Sequence, residues 1–290
     1  MHEWPVFFFT LLLQAAIGVS AVCFIHSIVL HNSLSHEDIL SLLRYQLLII
    51  PFLAVSGLAA SFAHLGYPWN APHAIRHMST SWMSREIILT GCFVGLSLLI
   101  VFMAFYFMTL SFLLLGLLAL IGIAALFCMG ELYRATTVIT WIPRYTHATF
   151  FGATAIFGGV LSFILLPNWE LSTKMEHTDI TEITSITLCL VYLGLAVQIV
   201  LLPYYVQTIS FHSTDHVVTY PHKPVTVYKS LLTLQIIRWG LAIAGIVFLT
   251  VALWVIPHII PKVPIIMTLI AALLLITSES LGRYIYFRIG

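Results

Sequence analysis

With 290 residues, 60% of them apolar and only 8% charged, and a mean hydropathy of +1.04, the chain lacks the roughly 25% of charged residues that keeps soluble domains in water. It reads as an all-α integral membrane protein, a single polytopic membrane domain over residues 1–290 whose solvent is the lipid bilayer. A formal net charge of +1, with no acidic or basic tail, argues against a nucleic-acid partner.

A bilayer crossing needs about 20 predominantly apolar residues, and eight stretches qualify: Pro5–Leu30, Tyr45–Ala63, Ile87–Phe105, Leu113–Tyr133, Ala148–Leu166, Ile183–Ile209, Leu231–Ile256 and Ile265–Phe287. The first is read as a helix and not a signal peptide, because Glu3 precedes it without any Lys or Arg. From Ile87 to Gly130 no charge interrupts the apolar run. One helix of that length would cross the bilayer about twice at about 1.5 Å rise per residue, so a tight turn is predicted near Tyr106–Ser111. Cys23, Cys92, Cys128 and Cys189 all fall in apolar segments without a C-x-x-C spacing, and are expected to be small buried hydrophobes.

Eight crossings bring both termini to one side, called side N here. Its loops, His64–Glu86, Arg134–His147 and Ser210–Ser230, carry most of the prolines, histidines and arginines. The basic residues divide as Arg76, Arg85, Arg134, Arg144, Lys223, Lys229, Arg238, Arg283 and Arg288 on side N against Arg44, Lys174 and Lys262. Counted by the positive-inside rule, side N would face the cytoplasm. Glu131 with Arg134, at i, i+3, and Glu279 with Arg283, at i, i+4, each share a helical face. The parallel between G-E-L-Y-R and S-E-S-L-G-R would divide the eight-helix bundle into two four-helix halves.

The stretch HLGYPWNAPHAIRHMSTSWMSRE, His64 to Glu86, is where chemistry has room. His64 closes the second helix, because Gly66 accommodates unusual backbone and Pro68 pushes its predecessor out of the helical region. Ser81 can cap the third helix, Trp82 can anchor at the interface, and Glu86 suits the helix dipole in a first turn. His64 and Glu86 would then stand at membrane-surface depth on neighbouring helices, within reach of a lipid-soluble ring. Quinol oxidation releases two protons with two electrons, so it wants acceptors that titrate near neutrality. A histidine at about 6.5 and a partly desolvated glutamate meet that need. The same two residues also fit an interfacial helix-ending histidine and an ordinary helix-opening acid, and local chemistry leaves both open. Arg85, Arg134, Glu279 and Arg283 are candidates for supporting a quinol.

An exit for the electrons is not written in the sequence. Of thirteen histidines only His26 lies clearly inside a span, whereas haem b ligation needs two at matching depth. His73 with His77 and His212 with His216 have metal-like i, i+4 spacing but fall in predicted loops without a third ligand. The expectation is no haem and no metal in this chain, with electrons handed to a partner docked on side N. A haem-bearing quinol subunit of the formate dehydrogenase or nitrate reductase kind stays as an alternative. So does a secondary transporter, although Pro51 and Pro203 are the only prolines well inside spans and no charge pair is legible near the bilayer midplane.

The opening His2-Glu3-Trp4-Pro5, the turn His64-Leu65-Gly66-x-Pro68, the run Ser81-Trp82-Met83-Ser84-Arg85-Glu86, Tyr133-Arg134 followed by Trp141, and Glu279-x-x-Gly282-Arg283 together resemble the membrane-anchor subunits of dimethyl sulfoxide reductase, within the wider polysulfide-reductase membrane-subunit group. The resemblance runs from end to end. It implies an eight-helix, haem-free anchor in the bacterial cytoplasmic (inner) membrane that oxidises menaquinol to menaquinone. Electrons would pass to a four-cluster iron–sulfur subunit that feeds a molybdopterin catalytic subunit in anaerobic respiration. It assigns quinol binding to His64 and Glu86 and places both termini in the periplasm, against the positive-inside count. Arginines committed to a partner or a quinone pocket are not free loop charges, so the resemblance carries more weight than the count.

Overall fold

The computed structural model of the protein describes residues 4–64, 77–136, 138, 140–166, 177–214, 224–255 and 265–289. Among these every regular element is helical: α1 (Trp4–Leu30), α2 (His36–His64), α3 (Trp82–Tyr106), α4 (Phe112–Arg134), α5 (Pro143–Ile164), α6 (His177–Thr214), α7 (Pro224–Ser230), α8 (Leu232–Thr250) with a π-helical turn at Val251–Val255, and α9 (Ile265–Ile289). Eight are long and apolar enough to cross a membrane, the short α7 standing apart. Every predicted span has its helix. In hydrocarbon the backbone has no water to bond, so each crossing closes its own hydrogen bonds.

Polar groups set the helix ends where hydropathy does not. The second helix starts at His36, well before the apolar run at Tyr45, because Ser35 Oγ accepts from the Asp38 amide at 3.2 Å and donates to the Asp38 carboxylate at 2.6 Å. The predicted turn between α3 and α4 is present. Phe107 and Thr109 donate their amides to the Met103 carbonyl at 3.0 and 3.3 Å, and Met108 takes a left-handed φ of 54°. His36 Nε2 accepts the Leu110 amide at 3.0 Å, tying this turn to the start of α2.

The protein folds into two compact units, Met1–Met129 with Thr154–Val191, and Gly130–Ala153 with Tyr192–Gly290. In the first, α1 packs along α2 and α2 against α3. The tightest approach joins α1 to α5. A Cβ on Gly18 would lie 2.8 Å from the Gly158 amide nitrogen, and one on Gly158 would lie 2.6 Å from the Gly18 carbonyl oxygen. Only hydrogen fits between the two backbones, the small-residue contact by which helices associate in lipid. In the second unit α8 pairs with α9, and α7 lies against both. Its core gathers Ile142, Tyr145, Tyr205, Ile209, Ile285 and Ile289, with the Tyr145 and Tyr205 rings stacked at 4.0 Å.

The outward faces are apolar, with Leu113, Val200 and Ile266 among the most exposed side chains, as a surface meeting acyl groups requires. Two cysteines depart from the reading as buried hydrophobes. Cys23 and Cys128 are buried, but Cys92 and Cys189 are exposed, because a thiol is apolar enough to face lipid as readily as a core.

Candidate functional site

In the first unit, α3 carries the site residues with the most to explain. Ser81 caps it from extended backbone, its Oγ accepting the Ser84 amide at 3.4 Å. The first turn holds no acidic residue. Glu86 opens the second turn instead and faces inward, 5% exposed. A capping glutamate would face water, so the dipole role expected of it does not describe its position. Among the described residues no hydrogen bond or ion pair engages its carboxyl.

Spacing explains how an otherwise greasy helix hides this acid. Glu86, Thr90, Phe93, Ser97, Ile100 and Ala104 are buried and recur every three or four residues, forming one helical stripe. Leu98, Leu99, Phe102 and Phe105 occupy the outward face. One turn below Glu86, Thr90 is 1% exposed, and its Oγ1 has no hydrogen-bond partner among the described residues. A buried acid and a buried unsatisfied hydroxyl on one face are costly in a low-dielectric setting. They mark a place where a polar ligand would be favourable.

Arg85, predicted to support the ligand, turns the other way. Its guanidinium donates to the carbonyls of Met78 and Ser79 at 2.9 and 2.8 Å and lies 4.3 Å from the centre of the Trp82 ring. Trp82 in turn meets Phe127 edge-on at 6.1 Å. Arg85 therefore ties the incoming turn to the start of α3. His64 is the last residue of α2, which packs against α3. Its side chain, the Leu65–Pro68 turn, His73, the side chain of His212 and the whole of His216 lie outside the described residues. Among the described residues no group of three His, Cys, Asp or Glu side chains is placed to hold a metal ion.

The other predicted supporting residues belong to the second unit and fall into two clusters. Arg134 Nε donates to Glu131 Oε2 at 2.6 Å, the i, i+3 pair expected from spacing. His147 Nε2 approaches the other oxygen of Glu131 at 3.5 Å. Deeper in the unit, Glu279 accepts from Gln198 Nε2 at 3.1 and 3.2 Å and stands 3.9 Å from Arg238 Nη2. That same Nη2 donates to Gln198 Oε1, and Ser278 Oγ donates to the Arg238 carbonyl at 2.9 Å. The Arg283 guanidinium lies 3.9 Å from the centre of the Phe150 ring and 5.7 Å from that of Tyr286.

Sequence reasoning missed Arg238 and Gln198 as members of a site. Arg238 counts among the side-N charges by sequence, yet it is buried inside α8, as Gln198 is inside α6. The legible signal was each residue's presence within an apolar run, since a charge there is seldom left without a partner. Gly282, within the Glu279-x-x-Gly282-Arg283 motif, gains a reason too. A Cβ there would sit 2.5 Å from Arg238 Nε and Cζ, so the guanidinium occupies the notch that glycine leaves in α9.

Comparison with known proteins agrees with this architecture. The protein is 29% identical over 181 residues to the C subunit of the anaerobic dimethyl sulfoxide reductase of Haemophilus influenzae, a match covering 61% of this protein and 63% of that one, less than two thirds of the relative's length. It is 27% identical over 290 residues to the YnfH subunit of an anaerobic dimethyl sulfoxide reductase of Escherichia coli, covering 99% of this protein and 94% of that one. No solved structure matches it. The family model described as DMSO reductase anchor subunit (DmsC) matches residues 1–289, and the chain therefore belongs to the DMSO reductase anchor subunit family.

Proposed function

We propose that this protein is the menaquinol-oxidising anchor of a dimethyl sulfoxide reductase-type complex, and that the quinol ring binds between the end of α2 and the second turn of α3. The observation that carries this is Glu86, 5% exposed and without a hydrogen-bond or ion-pair partner among the described residues. A quinol hydroxyl hydrogen-bonded to that carboxyl supplies the missing partner and delivers its proton to it. His64, at the adjoining end of α2, takes the second proton. Thr90 offers a hydroxyl to the same ring from one turn below.

Geometry of this kind does general-base work, because the acceptors are in place before the electrons leave. Arg85 acts on the site through the backbone and not through the ring, holding the Met78 and Ser79 carbonyls against α3. Electrons leave to an iron–sulfur subunit with four clusters, docked on the face that carries both termini. A molybdopterin subunit beyond it reduces the terminal acceptor. The termini and these partners lie in the periplasm, and the anchor itself in the bacterial inner membrane. No haem and no metal in this chain takes part.

The test separates quinol oxidation from assembly. Glu86→Gln and His64→Ala, each in the intact complex, should lower menaquinol-driven turnover at least tenfold, while an artificial dye that reduces the partner directly still supports the parental rate. Glu86→Gln should also move the acidic limb of the pH–rate profile. Quinol turnover within twofold of the parent in both variants would remove the site from α2 and α3.

A further inference from the structure

The turn between α3 and α4 holds a left-handed residue and is fastened to another helix by a histidine, and the quinol site uses neither. We propose that His36 is a pH-sensitive catch, which ties this turn to the start of α2 while its imidazole is neutral and releases it when the ring takes up a proton. The catch joins the ends of α2 and α3 remote from His64 and Glu86, within the first unit. It does not rest on the quinol reading.

The donor fixes the chemistry of the bond. The Leu110 backbone amide lies 3.0 Å from His36 Nε2, and an amide N–H can only donate. Nε2 is therefore the acceptor, and the neutral ring carries its proton on Nδ1. Protonation puts a hydrogen on Nε2 and sets a cation against that same N–H. Leu110 is 5% exposed, and a buried amide that loses its partner is costly. His36 itself is exposed, so the proton reaches it directly from water.

The turn is poised for such a release. Two residues before Leu110, Met108 holds a φ of 54°, a left-handed backbone that a side chain other than glycine's keeps only where its surroundings hold it. The Phe107 and Thr109 amides bond back to the Met103 carbonyl of α3 itself, whereas the His36 bond joins the turn to α2. The charges around the catch are few. On α2, Glu37 and Asp38 follow His36, with Arg44 about two turns on. Next to α1 stands His31, whose ring lies 4.9 Å from that of Phe112, itself 6.3 Å from the His36 ring. Helix α3 brings Tyr106, and α4 carries no charged residue before Glu131. The described residues of α5 beyond Ser162, where it meets Gln46 of α2, carry none either.

The experiment is hydrogen exchange at the Leu110 amide of the full-length protein in lipid nanodiscs. It is read by mass spectrometry of the Phe107–Phe112 segment at about pH 5 and about pH 8, either side of the ordinary imidazole value of about 6.5. Comparing variants at one pH cancels the intrinsic pH dependence of exchange. At the higher pH the parent should exchange about fivefold more slowly than His36→Leu, the worth of one hydrogen bond, and at the lower pH the two should match. His36→Gln, whose amide oxygen accepts at either pH, should stay slow at both. If His36→Leu does not fold, nitrogen-15 spectra of the histidine-labelled parent and His36→Gln decide the matter, since the substitution should remove one neutral imidazole protonated on Nδ1. A ratio of parent to His36→Leu rates that is the same at both pH values, or a lost neutral signal of the Nε2–H kind, would overturn the proposal.

Discussion

Removing the guanidinium of Arg238 should destabilise the second unit more than any single surface change in the protein. Arg238 and Glu279 stand 3.9 Å apart with 3% of each side chain exposed. At an effective dielectric of about 20, two unit charges at that separation attract by about 4 kcal/mol. Breaking a buried pair by deleting one partner costs about 3–5 kcal/mol, because the survivor stays buried and uncompensated. Arg238→Met should therefore lower stability by that amount, since the Glu279 carboxylate loses its ion-pair partner and keeps the hydrogen bonds from the neutral Gln198 amide. Gly282→Ala should lose about 1–3 kcal/mol at the same place by overpacking, because its methyl would lie 2.5 Å from the guanidinium. Converting the pair and its bridge, with Arg238→Met, Gln198→Leu and Glu279→Leu together, should restore part of the loss, since Arg283 of the same cluster keeps its buried charge. The assay is reversible unfolding in mixed micelles, followed by helical circular dichroism. An Arg238→Met variant within about 1 kcal/mol of the parent, or a triple variant as unstable as the single one, would refute the account of this cluster.

Two further outcomes follow from other parts of the molecule. Gly158→Leu should prevent α1 from closing on α5, since even a Cβ would lie 2.6 Å from the Gly18 carbonyl, and the protein should accumulate as a protease-sensitive species in size-exclusion and trypsin assays. In sealed proteoliposomes holding the assembled complex, acceptor reduction by menaquinol should build no membrane potential and gain no speed from valinomycin. Quinol protons released on the face where the acceptor is reduced do not cross the bilayer, so the roughly 2.3 kcal/mol per charge per 100 mV is not drawn on. A potential that rises with turnover would mean that the protons leave by the opposite face.

The spans were legible because hydrocarbon imposes a length and a composition on every crossing, and the turn at Tyr106–Ser111 followed from arithmetic on an uninterrupted run. Local polar contacts were legible as well: Glu131 and Arg134 sit at helical spacing and pair at 2.6 Å. Glu86 could be singled out as a candidate, and the stripe it shares with Thr90, Phe93 and Ser97 was open to reading at helical spacing, whereas the bonds of Arg85 to the Met78 and Ser79 carbonyls are a contact that no local pattern carries. The contact of Glu279 with Gln198 joins residues 81 apart in sequence, and that of Arg238 with Gln198 joins residues 40 apart. Their helices are apolar almost throughout, so periodicity could not say which face turned inward. The notch at Gly282 became meaningful only with the guanidinium seated in it.

The measurement that most directly tests the central claim is photolabelling of the intact complex with a ring-substituted azido menaquinone, followed by mass spectrometry of the labelled peptides. Label should fall at the end of α2 and on the first turns of α3, around Glu86 and Thr90, should be displaced by excess menaquinol, and should drop in Glu86→Gln. Displaceable label confined to α8 or α9, around Arg238 or Glu279, would contradict it.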